Sequence, residues 1–127
     1  MNNIFYSRCF KLILSFSLLC QLFISPFAFA NKPEFTIELK DHLFYPSTIK
    51  IPANQKVKLI IFNNDDTPEE FDSFDLNREK VIFPYKSSVV FIGPLPVGRY
   101  EFFGEFNPNS AKGVLIVVPA EQFKVDK

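Results

Sequence analysis

The stretch GRYEFFGEFNPNSAKGVLIVV, residues 98–118, places two apolar runs on either side of a polar loop. The runs RYEFFGE and GVLIVV are rich in Val, Ile, Phe and Tyr, the residue types enriched in β-strands. The loop between them holds a carboxylate, asparagines, a proline and a closing glycine, which is a composition typical of a site loop. It contains no histidine, cysteine or methionine, so it lacks the strongest transition-metal ligands.

Four more runs of the same kind lie upstream, namely EFTIELK, STIKIPA, KVKLIIFN and SSVVFIG. EFTIELK alternates strictly, with Phe35, Ile37 and Leu39 on one side, which is the pattern of a half-buried strand. Prolines and glycines between the runs mark turns. No helical period exceeds a turn or two, and PAEQF near the end favours a single short one. The sequence therefore predicts an all-β, antiparallel sandwich of six to eight short strands.

The first thirty residues have the composition of an export signal. Arg8 and Lys11 form a basic start, LILSFSLLCQLFI is the apolar centre, and Ala28 and Ala30 frame a small-x-small cleavage pattern. We therefore predict a signal peptide over residues 1–30, a mature domain over residues 31–127, and a periplasmic location. An uncleaved anchor is the alternative, because the apolar run approaches the roughly 20 residues that span a bilayer. A lipoprotein signal at Cys20 is disfavoured by the bulky Leu19 before it.

Both cysteines of the chain, Cys9 and Cys20, lie within this predicted signal, as does the only methionine. The mature chain thus has no thiol for a cysteine nucleophile, a thiolate metal site or a redox dithiol. Removing two of the 14 basic residues leaves 12 against 14 acidic ones, which gives no basic surface for nucleic acid. Eleven of the 17 phenylalanines remain, and the large area that they bury in the core is expected to account for most of the aromatic excess.

His42 is the only histidine and lies between the first two predicted strands. It is either a turn residue with no chemical role or a metal ligand at the rim of the sandwich, since imidazole is a common ligand for copper and related metals. No catalytic residues are predicted. No serine lies in a nucleophile elbow, and a chain of this size offers no deep cleft for a pair of catalytic carboxylates.

The segment NNDDTPEEFDSFD, residues 63–75, is strongly acidic. It is either a solvated loop or a cation site, because a bound cation would relieve the repulsion among its carboxylates. Adjacent residues of a strand face opposite ways, so one of Glu69 and Glu70 is expected to point inward. A buried carboxylate needs a partner, and Arg78, Lys80 or a metal are the candidates. The six carboxylates are Asp65, Asp66, Glu69, Glu70, Asp72 and Asp75.

The order of these pieces resembles the cupredoxin fold. The matching segments are FYPSTIKIPAN, FNNDDTPEEF, VGRYEFFGEFNPNSAKG and VLIVV. More narrowly, NNDDTPEEFDS followed by FFGEF and AKGVLIV looks like the EfeO-type cupredoxin-like proteins that accompany bacterial iron permeases. The resemblance implies a Greek-key sandwich with metal ligands at one end.

The copper ligands of the blue-copper members are replaced in this chain. Glu69 stands where the resemblance places the first histidine, Gly104 where it places the cysteine, and Asn107 where it places the second histidine. Ser110 or Ala111 falls near the methionine position. A type 1 blue copper centre is therefore excluded, because the mature chain has no cysteine to supply its thiolate.

The resemblance to the iron-associated group implies a different metal site, made of His42, Glu69, Glu70, Glu105 and Asn107, for copper or iron. It further implies an accessory role in iron or copper transport, with an iron permease or a periplasmic iron-binding protein as partner. A ferroxidase role would follow from the family alone, and we expect no enzyme activity. Membrane contact is expected only through a transport partner or an uncleaved signal.

The alternative is a metal-free sandwich that docks onto such a partner through its acidic loop and exposed aromatics, among them Phe83 and Tyr85. Asn107, in place of an imidazole, favours this second hypothesis, because an amide is a poorer copper ligand.

Overall fold

The computed structural model describes residues 32–123, and the predicted signal peptide with its cleavage site lies outside this range. Nine strands and one short 3-10 turn make up this part of the chain. The strands are Glu34–Lys40 (β1), Leu43–Tyr45 (β2), Thr48–Pro52 (β3), Val57–Asn63 (β4), Glu69–Ser73 (β5), Arg78–Ile82 (β6), Ser87–Ile92 (β7), Gly98–Gly104 (β8) and Lys112–Val118 (β9). The 3-10 turn, Ala120–Gln122, lies within the predicted PAEQF segment. No helix in the described residues is long and apolar enough to cross a membrane.

The strands form two sheets, with the orders β2-β1-β4-β7 and β3-β9-β8-β5-β6. The all-β class and the two-sheet sandwich are therefore confirmed. The prediction of purely antiparallel sheets is wrong, because β1 pairs with β4 and β3 pairs with β9 in parallel. Both parallel pairs join strands that are separated in the chain by several other strands, including at least one of the opposite sheet, so local turns do not set their direction.

The core fills the space between the two sheets. On β1, Ile37 and Leu39 are fully buried, as the alternation predicts. At one point three aromatic rings meet, because Phe44, Phe71 and Phe102 have ring centroids 5.2 to 6.5 Å apart. Burial in the core therefore explains the aromatic excess only in part. These three are the fully buried phenylalanines among the described residues, four others are exposed, and the rest of the core is mainly aliphatic.

The nine strands of the described residues exceed the predicted six to eight, and three of them, β2, β5 and β6, lie outside the six runs named above. β5 escaped prediction because its inward residues include two polar ones, Glu69 and Ser73, on either side of Phe71. β6 is exposed over most of its length and lies at the edge of its sheet. Neither strand carries the apolar alternation by which a half-buried strand is recognised.

Candidate functional site

The acidic segment brings one carboxylate into the interior. Glu69 begins β5 and is 1% exposed, whereas Glu70 is only partly buried. The expectation that one of this pair points inward is therefore confirmed. Phe71 and Ser73 are the next inward positions of β5, so the strand's period of two points the Glu69 side chain inward as well. Phe71 pairs with Gly104 at the end of β8, which places Glu69 beside the loop between β8 and β9.

Protein groups satisfy this buried carboxylate. Its Oε1 accepts hydrogen bonds from the backbone N–H groups of Glu70, at 3.0 Å, and of Phe106, at 2.9 Å. Its Oε2 accepts a bond from the side-chain amide of Asn107 at 2.6 Å. Hydrogen bonds to a carboxylate are the strong kind, and they offset much of the cost of burying it. We call Glu69, Asn107 and the Phe106 N–H the carboxylate cluster.

The groups that donate to Glu69 are not the basic side chains that the sequence predicted for a buried glutamate. Within the described residues, neither Arg78 nor Lys80 donates to Glu69. The Arg78 guanidinium instead bonds the carbonyls of Phe91, at 3.0 Å, and Asn77, at 2.8 Å. The prediction of Arg78 or Lys80 as the partner of the buried glutamate is therefore wrong. The physical reason is that the strand direction carries Arg78 to the far end of β6, opposite Ser73 rather than opposite Glu69.

Gly104, at the position that the resemblance assigns to cysteine, has no room for a side chain. A Cβ atom built there would lie 2.6 Å from the Glu69 Cδ and 2.7 Å from the Ala111 Cβ. Both distances are below what real Cβ contacts allow. The Glu69 carboxylate thus fills the space that a ligand side chain at this position would need, which explains the glycine.

The loop that follows is closed by its own backbone. The Gly104 N–H donates to the Ala111 carbonyl at 2.8 Å, and the Ala111 N–H donates to the Asn107 carbonyl at 2.9 Å. The Glu105 N–H donates to the Glu70 carbonyl at 2.8 Å, which ties the loop to β5. These bonds fix the backbone of Asn107, so its amide is held against Glu69 by the loop itself.

His42 lies at a second position, the turn between β1 and β2. Asp41 and His42 have φ values of 54° and 58°, so their N–H groups point the same way. Both donate to the Asp65 carboxylate, at 2.7 and 2.9 Å. The His42 Nδ1 lies 3.5 Å from the same carboxylate, and its side chain is 44% exposed. Asp65 is one of the six carboxylates of the acidic segment, but nothing in the sequence singled it out as the partner of His42.

The predicted metal residues divide between these positions. Glu69 and Asn107 are in direct contact, and His42 pairs with Asp65, while Glu105 is exposed to solvent. Across residues 32–123, no three His, Cys, Asp or Glu side chains are placed to hold a metal ion together. Metal binding by His42, Glu69, Glu70, Glu105 and Asn107 stays a prediction.

Comparison with known proteins assigns the class. Residues 12–117 match the model of the cupredoxin-like domain, so the chain belongs to the cupredoxin-like family. A relative from Rickettsia prowazekii (strain Madrid E), described as an uncharacterized protein, is 46% identical over 87 residues, which cover 68% of this chain and 70% of the relative.

Solved structures share the fold at low identity. One is auracyanin A, a blue copper protein from Chloroflexus aurantiacus, with a TM-score of 0.61 and 12% identity, covering 69% of this chain and 100% of that one. Another is the metal-binding domain of the Cu(I)-exporting P-type ATPase CopA of Streptococcus pneumoniae D39, determined with Cu(I). Its TM-score is 0.58 at 17% identity, covering 67% of this chain and 84% of that one. These similarities establish the fold, which is related to that of copper-binding proteins.

Proposed function

We propose that this protein is an exported, periplasmic cupredoxin-like accessory of iron or copper transport that acts by docking onto a transport partner. In this proposal the loop between β8 and β9 carries no metal. The carboxylate cluster is the observation that supports it, because three protein donors already satisfy Glu69. A metal ion at this carboxylate would have to displace those donors, and Gly104 offers no space for a further ligand.

The sequence resemblance to EfeO-type proteins suggests which partner to test. An iron permease or a periplasmic iron-binding protein fits the acidic segment and the exposed aromatics, which include Phe83 and Tyr85 at 64% and 61% exposure. Aromatic side chains held in solvent are typical anchors of protein–protein interfaces.

The test is affinity capture of the permease with the tagged full chain, in parallel with and without a strong chelator such as EDTA. We expect the same yield of permease in both conditions, because docking needs no metal. A tagged unrelated exported β-sandwich is the control for non-specific capture. Capture that chelator abolishes, or no capture above that control, contradicts the docking function.

A second candidate function is weak binding of Cu(II) or iron at the β1–β2 turn. It is favoured by the pairing of the His42 imidazole with the Asp65 carboxylate, which combines one nitrogen and one oxygen ligand at a half-exposed position. The two ligands come from different loops, and both Asp65 oxygens already accept backbone N–H groups from Asp41 and His42, so the site is weak.

Calorimetry and EPR with Cu(II) test this candidate. We expect wild-type protein to bind Cu(II) at micromolar or weaker affinity, and the His42→Ala protein to lose that binding. Glu105→Ala is the matched control, because it removes an exposed carboxylate from the other predicted position. Equal uptake of Cu(II) by wild-type and His42→Ala protein contradicts the assignment.

A further inference from the structure

The outer face of the four-stranded sheet carries an apolar stripe along β4 and β7. Its members are Ile60, Val89 and Phe91, which occupy outward positions, and Ile60 lies directly opposite Val89 in the register. Val89 and Phe91 are 39% and 44% exposed. An antiparallel pair that faces water on one side commonly carries polar residues there, so this stripe is suited to a surrounding that is at least partly apolar.

Two lysines stand at the Phe91 end of the stripe. The ammonium groups of Lys32 and Lys56 lie 5.8 and 5.5 Å from the centre of the Phe91 ring, which is within the range of a cation–π contact. A lysine combines an apolar stem with a charged head. Lysines beside an exposed ring are therefore the combination that suits a boundary between hydrocarbon and water.

The charge at this end of the stripe is positive. Lys58 lies directly opposite Phe91, but its Nζ is 2.9 Å from the Glu34 carboxylate, so this pair neutralises itself. Among the ion pairs within residues 32–123, none involves Lys32 or Lys56. Two positive charges thus remain beside an exposed aromatic ring, and the occupant that fits them is anionic on its surface and apolar below it.

The sequence that precedes Lys32 favours a membrane as this occupant. The apolar run LILSFSLLCQLFI ends at Ile24, and only the seven residues 25–31 separate it from Lys32. A fully extended chain of that length spans about 27 Å. Whenever this run is held in a membrane, as a signal during export or as an uncleaved anchor, the first described residue is therefore within that distance of the bilayer.

We propose that the Phe91 corner, made of Lys32, Lys56, Ile60, Val89 and Phe91, rests on the anionic surface of a phospholipid bilayer. The Phe91 ring and the Val89 side chain enter the headgroup region, and the two ammonium groups pair with lipid phosphates. This inference goes beyond the docking function proposed above, because the fold itself touches the lipid and no transport partner is needed for the contact.

The chain contains no tryptophan, so a single introduced one reports on its own surroundings. The full chain with Phe91→Trp is reconstituted in vesicles of phosphatidylcholine and phosphatidylglycerol whose acyl chains either carry bromine or do not. Bromine quenches tryptophan emission on contact. Phe74→Trp and Phe83→Trp are the matched controls, because these phenylalanines lie outside the stripe and are 80% and 64% exposed.

We expect bromine to lower the emission of the Phe91→Trp protein about twofold, because apolar side chains of an interfacial surface reach about 5–10 Å into the boundary between headgroups and acyl chains. The emission of the two control proteins should fall by less than about a tenth. Free inorganic phosphate, added without vesicles, should leave the emission of the Phe91→Trp protein unchanged.

The charge contribution is tested in the Phe91→Trp background. Adding Lys56→Glu should remove about half of the quenching or more, since one lysine near an anionic surface strengthens binding about fivefold. Lys80→Glu makes the same change on β6, away from the stripe, and should leave the quenching as it was. Vesicles of phosphatidylcholine alone should give the same loss as Lys56→Glu. Circular dichroism checks the fold, and Val89→Trp is a second reporter that should behave like Phe91→Trp.

Three results overturn the proposal. They are no quenching at either reporter position, equal quenching in the Phe74→Trp or Phe83→Trp protein, and quenching that neither Lys56→Glu nor neutral vesicles reduce. A blue shift of the reporter without vesicles, together with a dimer in sedimentation, also overturns it, because a second copy of this chain would then cover the stripe. Capture of the permease is measured separately, so the docking function stands or fails independently of this result.

Discussion

The carboxylate cluster and the His42–Asp65 turn both present a carboxylate to backbone N–H groups, but they bury it to different degrees. Glu69 is 1% exposed and receives two backbone N–H groups and the Asn107 amide. Asp65 receives the N–H groups of two turn residues beside a half-exposed imidazole. The donors to the buried Glu69 carboxylate stabilise the fold, whereas at the β1–β2 turn the His42 imidazole remains accessible to a ligand.

The comparison indicates that a carboxylate at a position that the resemblance assigns to a ligand need not itself bind a metal. What decides its role is whether protein donors already satisfy it, because a buried carboxylate exchanges partners only at a large cost in free energy.

The largest effect is expected from Glu69→Ala. This change leaves the Glu70 and Phe106 N–H groups and the Asn107 amide without their acceptor and opens a small cavity, so the free energy of unfolding should fall by about 3–5 kcal/mol. Urea denaturation measures it. Glu105→Ala, at an exposed carboxylate of the same loop, is the control and should cost less than about 0.5 kcal/mol. Similar losses in both proteins would show that the cluster does not hold the loop.

A smaller loss is expected from Gly104→Ala, because the added methyl group meets the Glu69 side chain and Ala111 at distances that force a shift. Overpacking of this kind costs about 1–3 kcal/mol. Gly98→Ala is the control, since a Cβ there would meet only the Tyr100 ring, at 3.3 Å or more. In the Glu69→Ala background the cost of Gly104→Ala should shrink, and full additivity would contradict the contact.

At the turn, Asp65→Ala removes the acceptor of two backbone N–H groups that stay partly accessible to water. The expected cost is about 1–2 kcal/mol, similar to the loss of a helix cap. Asp66→Ala, at the exposed neighbouring carboxylate, should change the unfolding free energy by less than about 0.5 kcal/mol. Thermal or urea unfolding of the two proteins decides whether Asp65 holds the turn.

Hydrophobic alternation predicted the strands in which it is strong. β1 is the clearest case, since Phe35, Ile37 and Leu39 share one side and the latter two are fully buried. It did not recover β5, whose inward side carries Glu69 and Ser73 and so has no apolar period. The parallel direction of β1 and β4 also escaped it, because pairing between distant strands depends on contacts that no local pattern reports.

For the candidate site, alternation within the acidic segment predicted that one glutamate faces inward, which the burial of Glu69 confirms. Its partner was not predictable from spacing, since Asn107 reaches it from 38 residues away through the closed loop. The pairing of His42 with Asp65 was not predictable either, because it depends on the parallel pairing of β1 and β4, which no local pattern reports.

The smallest effect on stability is expected from His42→Ala. The side chain is half-exposed, and the backbone N–H that bonds Asp65 remains, so the unfolding free energy should change by less than about 0.5 kcal/mol. The same protein should lose any Cu(II) uptake, as measured by calorimetry. A large loss of stability together with unchanged Cu(II) uptake would contradict this account, because His42 would then stabilise the turn without binding the metal.

The most direct test of the central claim, that Glu69 is an internal hydrogen-bond acceptor and not a metal ligand, is the Cu(II) affinity of the Glu69→Gln protein. Glutamine keeps an oxygen for the two backbone N–H groups, and a flip of the Asn107 amide restores the third bond, so the fold is retained. The account predicts that this protein and the wild type take up Cu(II) equally in a calorimetric titration. Tight Cu(II) binding by the wild type that Glu69→Gln weakens about tenfold or more would contradict it.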